Sequence, residues 1–297
     1  MANNLRTRGE KAFAVFNYIF MTLLCIICVY PLWYVLVSSV SDPVQLYMQR
    51  GIMIWPLGEW SMRGYQLVME NPNIPVGFGN TLIYLGVGTF LNMFITIMAA
   101  YGLSRKGCYW NGKIMKLIAF TMYFGGGLIP FYLMVKGMNL LDTYSGIILP
   151  VLVSTWNLIV MRTSFAGIPD SLEESAHLDG ANDWTILWRI FFPLAQATIA
   201  VIALFYAVGW WNNWFNPSIF LSSKSKYPLQ LVLREILLKN DTSAMTQVGA
   251  VGQSQQEQYR MLVKYCTIIV ATVPILVVYP FLQRYFVKGV MVGSIKG

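Results

Sequence analysis

Six stretches of this 297-residue chain contain no Asp, Glu, Lys or Arg: residues 12–41, 71–104, 117–135, 143–161, 190–223 and 265–283. The shortest is 19 residues long, close to the roughly 20 that carry a helix across the hydrocarbon core of a bilayer. Only 11% of residues are charged, against 56% hydrophobic and 15% aromatic, where soluble proteins carry about 25% charge. The pattern predicts an all-α integral membrane protein with six transmembrane helices. The expected organisation is an N-terminus 1–12, a first span 13–38, an outer segment 39–75, a membrane domain 76–284 and a tail 285–297. Within the membrane domain the spans fall at about 78–103, 114–135, 144–165, 190–216 and 262–284.

The first run follows Arg6, Arg8 and Lys11 and so has the charge pattern of a secretory signal. It is far longer than the 7–15 or so apolar residues of such a signal, and no small-residue cleavage site follows it; an uncleaved span is expected. Lys and Arg favour the cytoplasmic side in short loops. The N-terminus, the acid-free loop from Arg105 to Lys116 and the tail with Arg284, Lys288 and Lys296 are basic, whereas the link from Lys136 to Asp142 has one base. Both termini are therefore expected in the cytoplasm. The net charge of +8 follows from this membrane bias and implies no nucleic-acid partner.

Several spans are expected to be irregular. "YFGGGLIPFYL" (123–133) places three glycines and Pro130 in the third, and Pro150, Pro193, Pro274 and Pro280 fall in others. Non-helical backbone at membrane depth survives only where protein or a water-filled cavity covers it. The outer segment, with Pro43, Pro56, Pro72 and Pro75, reads as loop with short amphipathic pieces.

Three motif matches do not carry function. "GCYWNGKI" (107–114) fits G-x-x-x-x-G-K of a phosphate loop, but Ile114 stands where Ser or Thr would hold magnesium. Cys25 and Cys28 form C-x-x-C inside an apolar span, without the context of a redox or zinc site. His177 is the one histidine, too few for a histidine-rich metal centre, and is read as a surface residue. No catalytic or metal site is expected, and charge-free span centres count against a proton- or ion-coupled carrier.

The chain's acids are concentrated in one place: Asp170, Glu173, Glu174, Asp179 and Asp183 lie within fourteen residues, of thirteen acids in total. Ser171 with Glu174 has the spacing of a capping box. Gly180 reads as a helix stop, and Asn182 or Asp183 as the cap of a second short helix beginning at Trp184. A helix-turn-helix running into the fifth span is expected.

"EESAHLDGANDWTILWRIFFP" (173–193) also resembles the EAA motif of ABC importer permeases. Glu174, Ala176, Gly180, Ile190 and Pro193 match it, Ser175 replaces the middle Ala, and the wider Asp179-Gly180-Ala181 version looks like the carbohydrate-uptake branch; the resemblance makes these residues, with Glu173, the ATPase-coupling set. "NTLIYLGVGTFLN" (80–92), "GLIPFYLMVKGMNLLDTYSGIILP" (127–150), "GWWNNWFNPSIFL" (209–221) and "QRYFVKGVMVGSIKG" (283–297) are similar to other parts of that family. The likeness is greatest to the smaller permease of maltose-type importers and to the subgroup that handles complex oligo- and polysaccharides, alginate included.

The resemblance implies a type I importer permease fold whose EAA segment is a cytoplasmic coupling helix. It implies no ATPase site in this chain, with ATP and Mg bound by two partner ATPase subunits. It also implies a homologous second permease, an extracytoplasmic solute-binding protein and an oligo- or polysaccharide substrate moved by alternating access. Trp210, Asn212, Asn213, Trp214 and Asn216 offer flat rings and amides suited to sugar faces and hydroxyls, with an interfacial aromatic belt as the other reading. On a helix, Trp210, Asn213 and Trp214 would share one face, as would Asn212 and Asn216. A permease for a non-sugar solute is the main alternative, and a secondary transporter a further one.

Overall fold

The computed structural model describes residues 7–105, 107, 110–239 and 253–294, with side chains described for 7, 9–105, 107, 110–238 and 257–277. Arg6, Lys106 and Lys296, and the side chains of Arg284 and Lys288 used in the orientation argument, lie outside the described residues. The described residues are helical or irregular and include no strand. The chain divides into two units, residues 1–71 with 236–273, and residues 72–235 with 274–297.

In the first unit, Arg8–Ser39 is one helix. Its start is fixed by a capping box that the sequence reading did not single out: Glu10 N–H donates to Thr7 Oγ1 and Thr7 N–H to Glu10 Oε2. Phe13, Val15, Phe16 and Tyr18, spaced around it, are exposed, so the first part of this helix offers an apolar surface in every direction. The segment that follows contains two short helices. Asp42 caps Pro43–Met48 by accepting from the N–H groups of Val44 and Gln45, and Arg63–Glu70 follows. The loop between them is tied back to the first helix, with Trp33 Nε1 donating to the Ile54 carbonyl and Met53 N–H to Tyr30 Oη.

In the second unit, Asn73–Ser104 is a single long helix with one wide π turn at Tyr84–Gly88. Its C-terminal half packs along Thr155–Ala166, and the core there holds Ile97, Ala100, Leu158, Met161, Phe165, Ile199 and Ile202. A second cluster joins Tyr84, Val135, Ile147, Ile148, Trp210 and Phe220. Gly88 is required where it is, because a Cβ there would stand 2.4 Å from the Trp210 ring.

Three helices are each long and apolar enough to cross a membrane: Gly9–Ser39, Asn73–Ser104 and Glu257–Val277. The remaining expected spans are bent pairs: Asn111–Tyr123 with Leu128–Gly137 (116°), Tyr144–Val151 with Thr155–Ala166 (49°), and Asp183–Leu194 with Gln196–Trp211 (86°). The break expected at the glycines is present, with Gly127 at φ +81°. The fifth span, expected over about 190–216 with irregularity at Pro193, is interrupted at both ends. Pro193 supplies no N–H and its ring crowds the turn before it. The helix widens into a π turn over Leu187–Phe191 and then bends sharply at Ala195. At the other end it stops at Trp211, with Asn212 as its cap, and a separate short helix starts at Phe215.

The broken backbone is satisfied from neighbouring helices. At the break after Val151, Asn92 Nδ2 donates to the carbonyls of Val151 (2.9 Å) and Leu152 (2.6 Å), while Ser154 N–H donates to Tyr206 Oη (3.0 Å), which also bonds Thr96 Oγ1. Asn92 Oδ1 in turn accepts from Trp210 Nε1 at 2.7 Å.

The loop 222–227 is closed onto the 136–142 link by Asp142, a residue in the left-handed region at φ +55°. Its carboxylate accepts from Ser223 Oγ and from the N–H groups of Ser222 and Ser223, and pairs with Lys226 at 3.2 Å. The Ser223 hydroxyl and N–H, aided by Lys226 and Ser222, hold the Asp142 carboxyl well below the usual carboxylate range.

Two outcomes are expected. Asn92→Leu leaves two carbonyls and an indole N–H without partners, each costing about 1–3 kcal/mol when buried; a lower thermal midpoint of the purified assembly is expected. For Asp142 the folded pKa is depressed, so its stabilisation is present above the ordinary carboxylate pKa of about 3.9 and lost as pH falls below it. Asp142→Asn is expected to flatten the fall in thermal midpoint below about pH 4, read by thermal unfolding across pH.

Candidate functional site

The acidic segment folds as the helix Asp170–Leu178, a turn, and the start of Asp183–Leu194. The expected capping box does not form. Pro169, with its fixed φ and extended ψ of 134°, is the N-cap, so Ser171 already lies inside the first turn and Glu174 is free of any capping role. Asp170 and Glu173 occupy that first turn, where carboxylates oppose the positive end of the helix dipole.

The helix ends as expected. Gly180 has φ +80°, and the turn closes by Gly180 N–H to the His177 carbonyl (3.0 Å) and Ala181 N–H to the Ala176 carbonyl (2.9 Å). This is the paired bonding of a Schellman motif, which needs a residue tolerant of positive φ at that position. Asn182 then caps the next helix, accepting from Thr185 N–H at 2.8 Å.

The back of Asp170–Leu178 is fastened to the second unit's core. Glu173 is ion-paired with Arg105, whose guanidinium also donates to Ser104 Oγ and to the Phe165 carbonyl and lies 4.1 Å from the Phe191 ring centre. Ala176 is only 8% exposed and belongs to the core cluster with Tyr101, Phe165, Ile186 and Phe191. It therefore keeps the helix close to its own chain; its small size serves that contact and not an outer surface. Ala181 and Ile190 are partly buried against the same cluster.

The front is open. Glu174, Ser175, Asp179 and Gly180 are exposed, and Leu178 is 89% exposed. With Trp184 also exposed, the front combines carboxylates with two apolar side chains. Beside it a cleft of about 510 Å³ is lined by Tyr101, Arg105, Asp170, Glu173, Glu174, His177 and Asp183, among others. His177, half exposed as expected, has Nε2 at 4.0 Å from Glu173 and 3.8 Å from Asp183. These three are the described residues whose metal-ligating atoms come together, all within 4.8 Å. Glu173 is already neutralised by Arg105, which leaves the group short of the negative charge that a divalent cation recruits.

The five residues read as a substrate path separate into two groups. Trp210 is buried, bonded to Asn92 and stacked on Tyr84 at 6.3 Å. It is a structural residue of the core and does not line a path. Asn212 is exposed, with its amide donating back to the Val208 carbonyl; Asn213, Trp214 and Asn216 are half exposed. Because the helix ends at Trp211, the face-sharing expected across 210–216 from helical spacing does not apply. The Trp214 ring lies 4.1 Å from the Arg234 guanidinium and meets Phe215 edge-on at 5.5 Å.

Sequence reasoning missed Arg105, Leu178 and Arg234. Arg105 was counted only as a basic loop residue, although its pairing across 68 positions has no local signature.

The family model described as "Binding-protein-dependent transport system inner membrane component" matches residues 1–292. The chain belongs to that family of inner-membrane transport components. Among curated relatives, Protein LplC of Bacillus subtilis (strain 168) is 37% identical, covering 98% of this chain and 97% of its own. The polygalacturonan/rhamnogalacturonan transport system permease protein YtcP of the same organism is 36% identical over 97% and 99%. A chain of the crystal structure of a bacterial ABC transporter involved in import of the acidic polysaccharide alginate aligns with a TM-score of 0.86 at 27% identity. That alignment covers 96% of this chain and 100% of that one.

Replacing Arg105 by Gln removes the ion pair and the guanidinium contacts together. Amides 173–181 are expected to exchange with solvent at least tenfold faster, about 1.4 kcal/mol of local stability, in hydrogen-exchange mass spectrometry of the assembled protein. Unchanged exchange would show that Arg105 does not hold this helix.

Proposed function

We propose that this chain is a permease subunit of an ATP-driven, binding-protein-dependent importer that moves an oligo- or polysaccharide across the bacterial cytoplasmic membrane. The relatives that transport polygalacturonan/rhamnogalacturonan and alginate support the saccharide class. Each bent pair counts as one span, giving six, with both termini in the cytoplasm as the basic short loops suggest. The helix Asp170–Leu178 is then the cytoplasmic coupling helix.

The observation that carries this reading is the two-sided construction of that helix. Its back is fixed by the Arg105–Glu173 pair and buried Ala176, while its front presents Glu174, Ser175, Leu178 and Asp179. A rigid, partly apolar, acidic projection suits a groove on an ATPase subunit with basic residues around an apolar floor. Glu174 is the carboxylate to pair there, since Glu173 is already engaged. Two ATPase subunits supply the ATP and Mg sites, a homologous permease completes the path, and an extracytoplasmic binding protein delivers the saccharide.

In this scheme, closure of the ATPases on ATP displaces the coupling helix, and the rigid turn at Gly180–Asn182 passes the displacement to Asp183–Leu194. The path helix Gln196–Trp211 then shifts, and the central cavity turns from inward-open to outward-open. Asn213, Trp214 and Asn216 meet the saccharide at the outer end of that helix. The chain performs no bond chemistry of its own.

Glu174→Lys and Leu178→Asp are expected to leave membrane insertion intact while lowering ATPase co-purification and uptake in proteoliposomes at least tenfold. Glu174→Gln, which keeps the side chain's shape, is expected to fall between these variants and the parent chain. Normal uptake by both Glu174→Lys and Leu178→Asp would overturn the coupling assignment.

A further inference from the structure

Arg234 lies on the helix Leu229–Lys239, whose Leu229, Leu231, Val232 and Leu233 are buried. Its guanidinium is half buried and rests on the Trp214 ring at 4.1 Å. Among the described residues no carboxylate pairs with it, and the ring is its one interaction. Arg105 and Lys226, by contrast, are each matched to an acid.

An aromatic face offsets only part of what a partly desolvated cation loses, about 0.5–2 kcal/mol. Among the described residues the half-buried Arg234 has no counter-charge, so its N–H groups are left for a partner outside them. What the ring does supply is a fixed position, with the guanidinium carbon 4.1 Å from its centre, and a guanidinium so held offers its N–H groups as a fork for two oxygens of a carboxylate. Trp214 lies in sequence between Asn213 and Asn216, whose amides are assigned to the saccharide above.

We propose that Arg234, held against the Trp214 ring, is a specificity-determining residue that binds the carboxylate of an acidic, uronate-bearing saccharide at the outer end of the path. This rests on the importer reading of the preceding section and adds the charge of the substrate to it. A neutral sugar gives the guanidinium hydroxyls only, so the site discriminates for the acid.

The test uses the complete importer, with both permeases, the ATPase subunits and its own binding protein, in proteoliposomes. Uptake is measured for a panel of uronate oligomers (oligogalacturonides and oligomannuronates) and for their methyl-esterified, uncharged counterparts. The parent complex is expected to import a uronate oligomer. Arg234→Gln is expected to lower that uptake at least tenfold, and Arg234→Lys by less, because it keeps charge without the planar fork. Binding-protein-stimulated ATP hydrolysis in Arg234→Gln, which reports assembly and coupling, is expected within twofold of the parent, as is uptake of any methyl ester that the parent carries. Unchanged uronate uptake in Arg234→Gln overturns the assignment. So does an equal loss of stimulated hydrolysis or ester uptake, which would mark a role in folding or in holding lipid phosphate. Import of neutral oligomers alone by the parent complex overturns this inference and leaves the importer reading standing; import of no saccharide in the panel overturns both.

Discussion

The second unit depends on one constraint: a helix broken within an apolar fold frees carbonyls and N–H groups that must find partners. Asn92 and Tyr206 answer it at the break between Tyr144–Val151 and Thr155–Ala166, supplying two donors to the freed carbonyls and an acceptor to the freed N–H. Asn92 spends its remaining acceptor on the Trp210 indole, so the same side chain sets the end of the helix Gln196–Trp211. Gly88 then follows as a requirement, since the indole so placed leaves no room for a Cβ on the facing helix.

The helix Asp170–Leu178 is built by the opposite strategy. There the backbone is closed locally, through the Gly180 turn and the Asn182 cap, and side chains are spent on attachment. Arg105 joins three parts of the chain at one point: the end of Asn73–Ser104, the carbonyl of Phe165 and the carboxylate of Glu173. The acids at this site thus have distinct duties. Glu173 belongs to the interior of the chain, and Glu174, one residue on and pointing elsewhere on the helix, belongs to the surface.

Much of this was legible in the sequence. Charge-free runs marked the apolar helices, three consecutive glycines marked a break, and Gly180 and Asn182 marked a stop and a start, because each rests on a local rule. The capping role given to Ser171 failed because Pro169 begins the helix two residues earlier, a competition between two valid local signals. Trp210 was read by its chemistry as a path residue and proved structural, since its partner Asn92 is 118 positions away. Arg105 and Arg234 were invisible for the same reason: pairings across long sequence distances leave no periodicity to read. The bend at Ala195 was anticipated only as a general effect of Pro193, and its size follows from packing.

That bend of 86° has a mechanical meaning. A rod meeting another at nearly a right angle converts a push along the first into a sideways swing of the second, as a bell crank does. Under the coupling proposed above, the buried Ala195 at the corner would be the pivot, its small side chain leaving both arms in contact with the core. A longer side chain at this corner would act as a wedge, fixing the angle whatever force arrived along either arm.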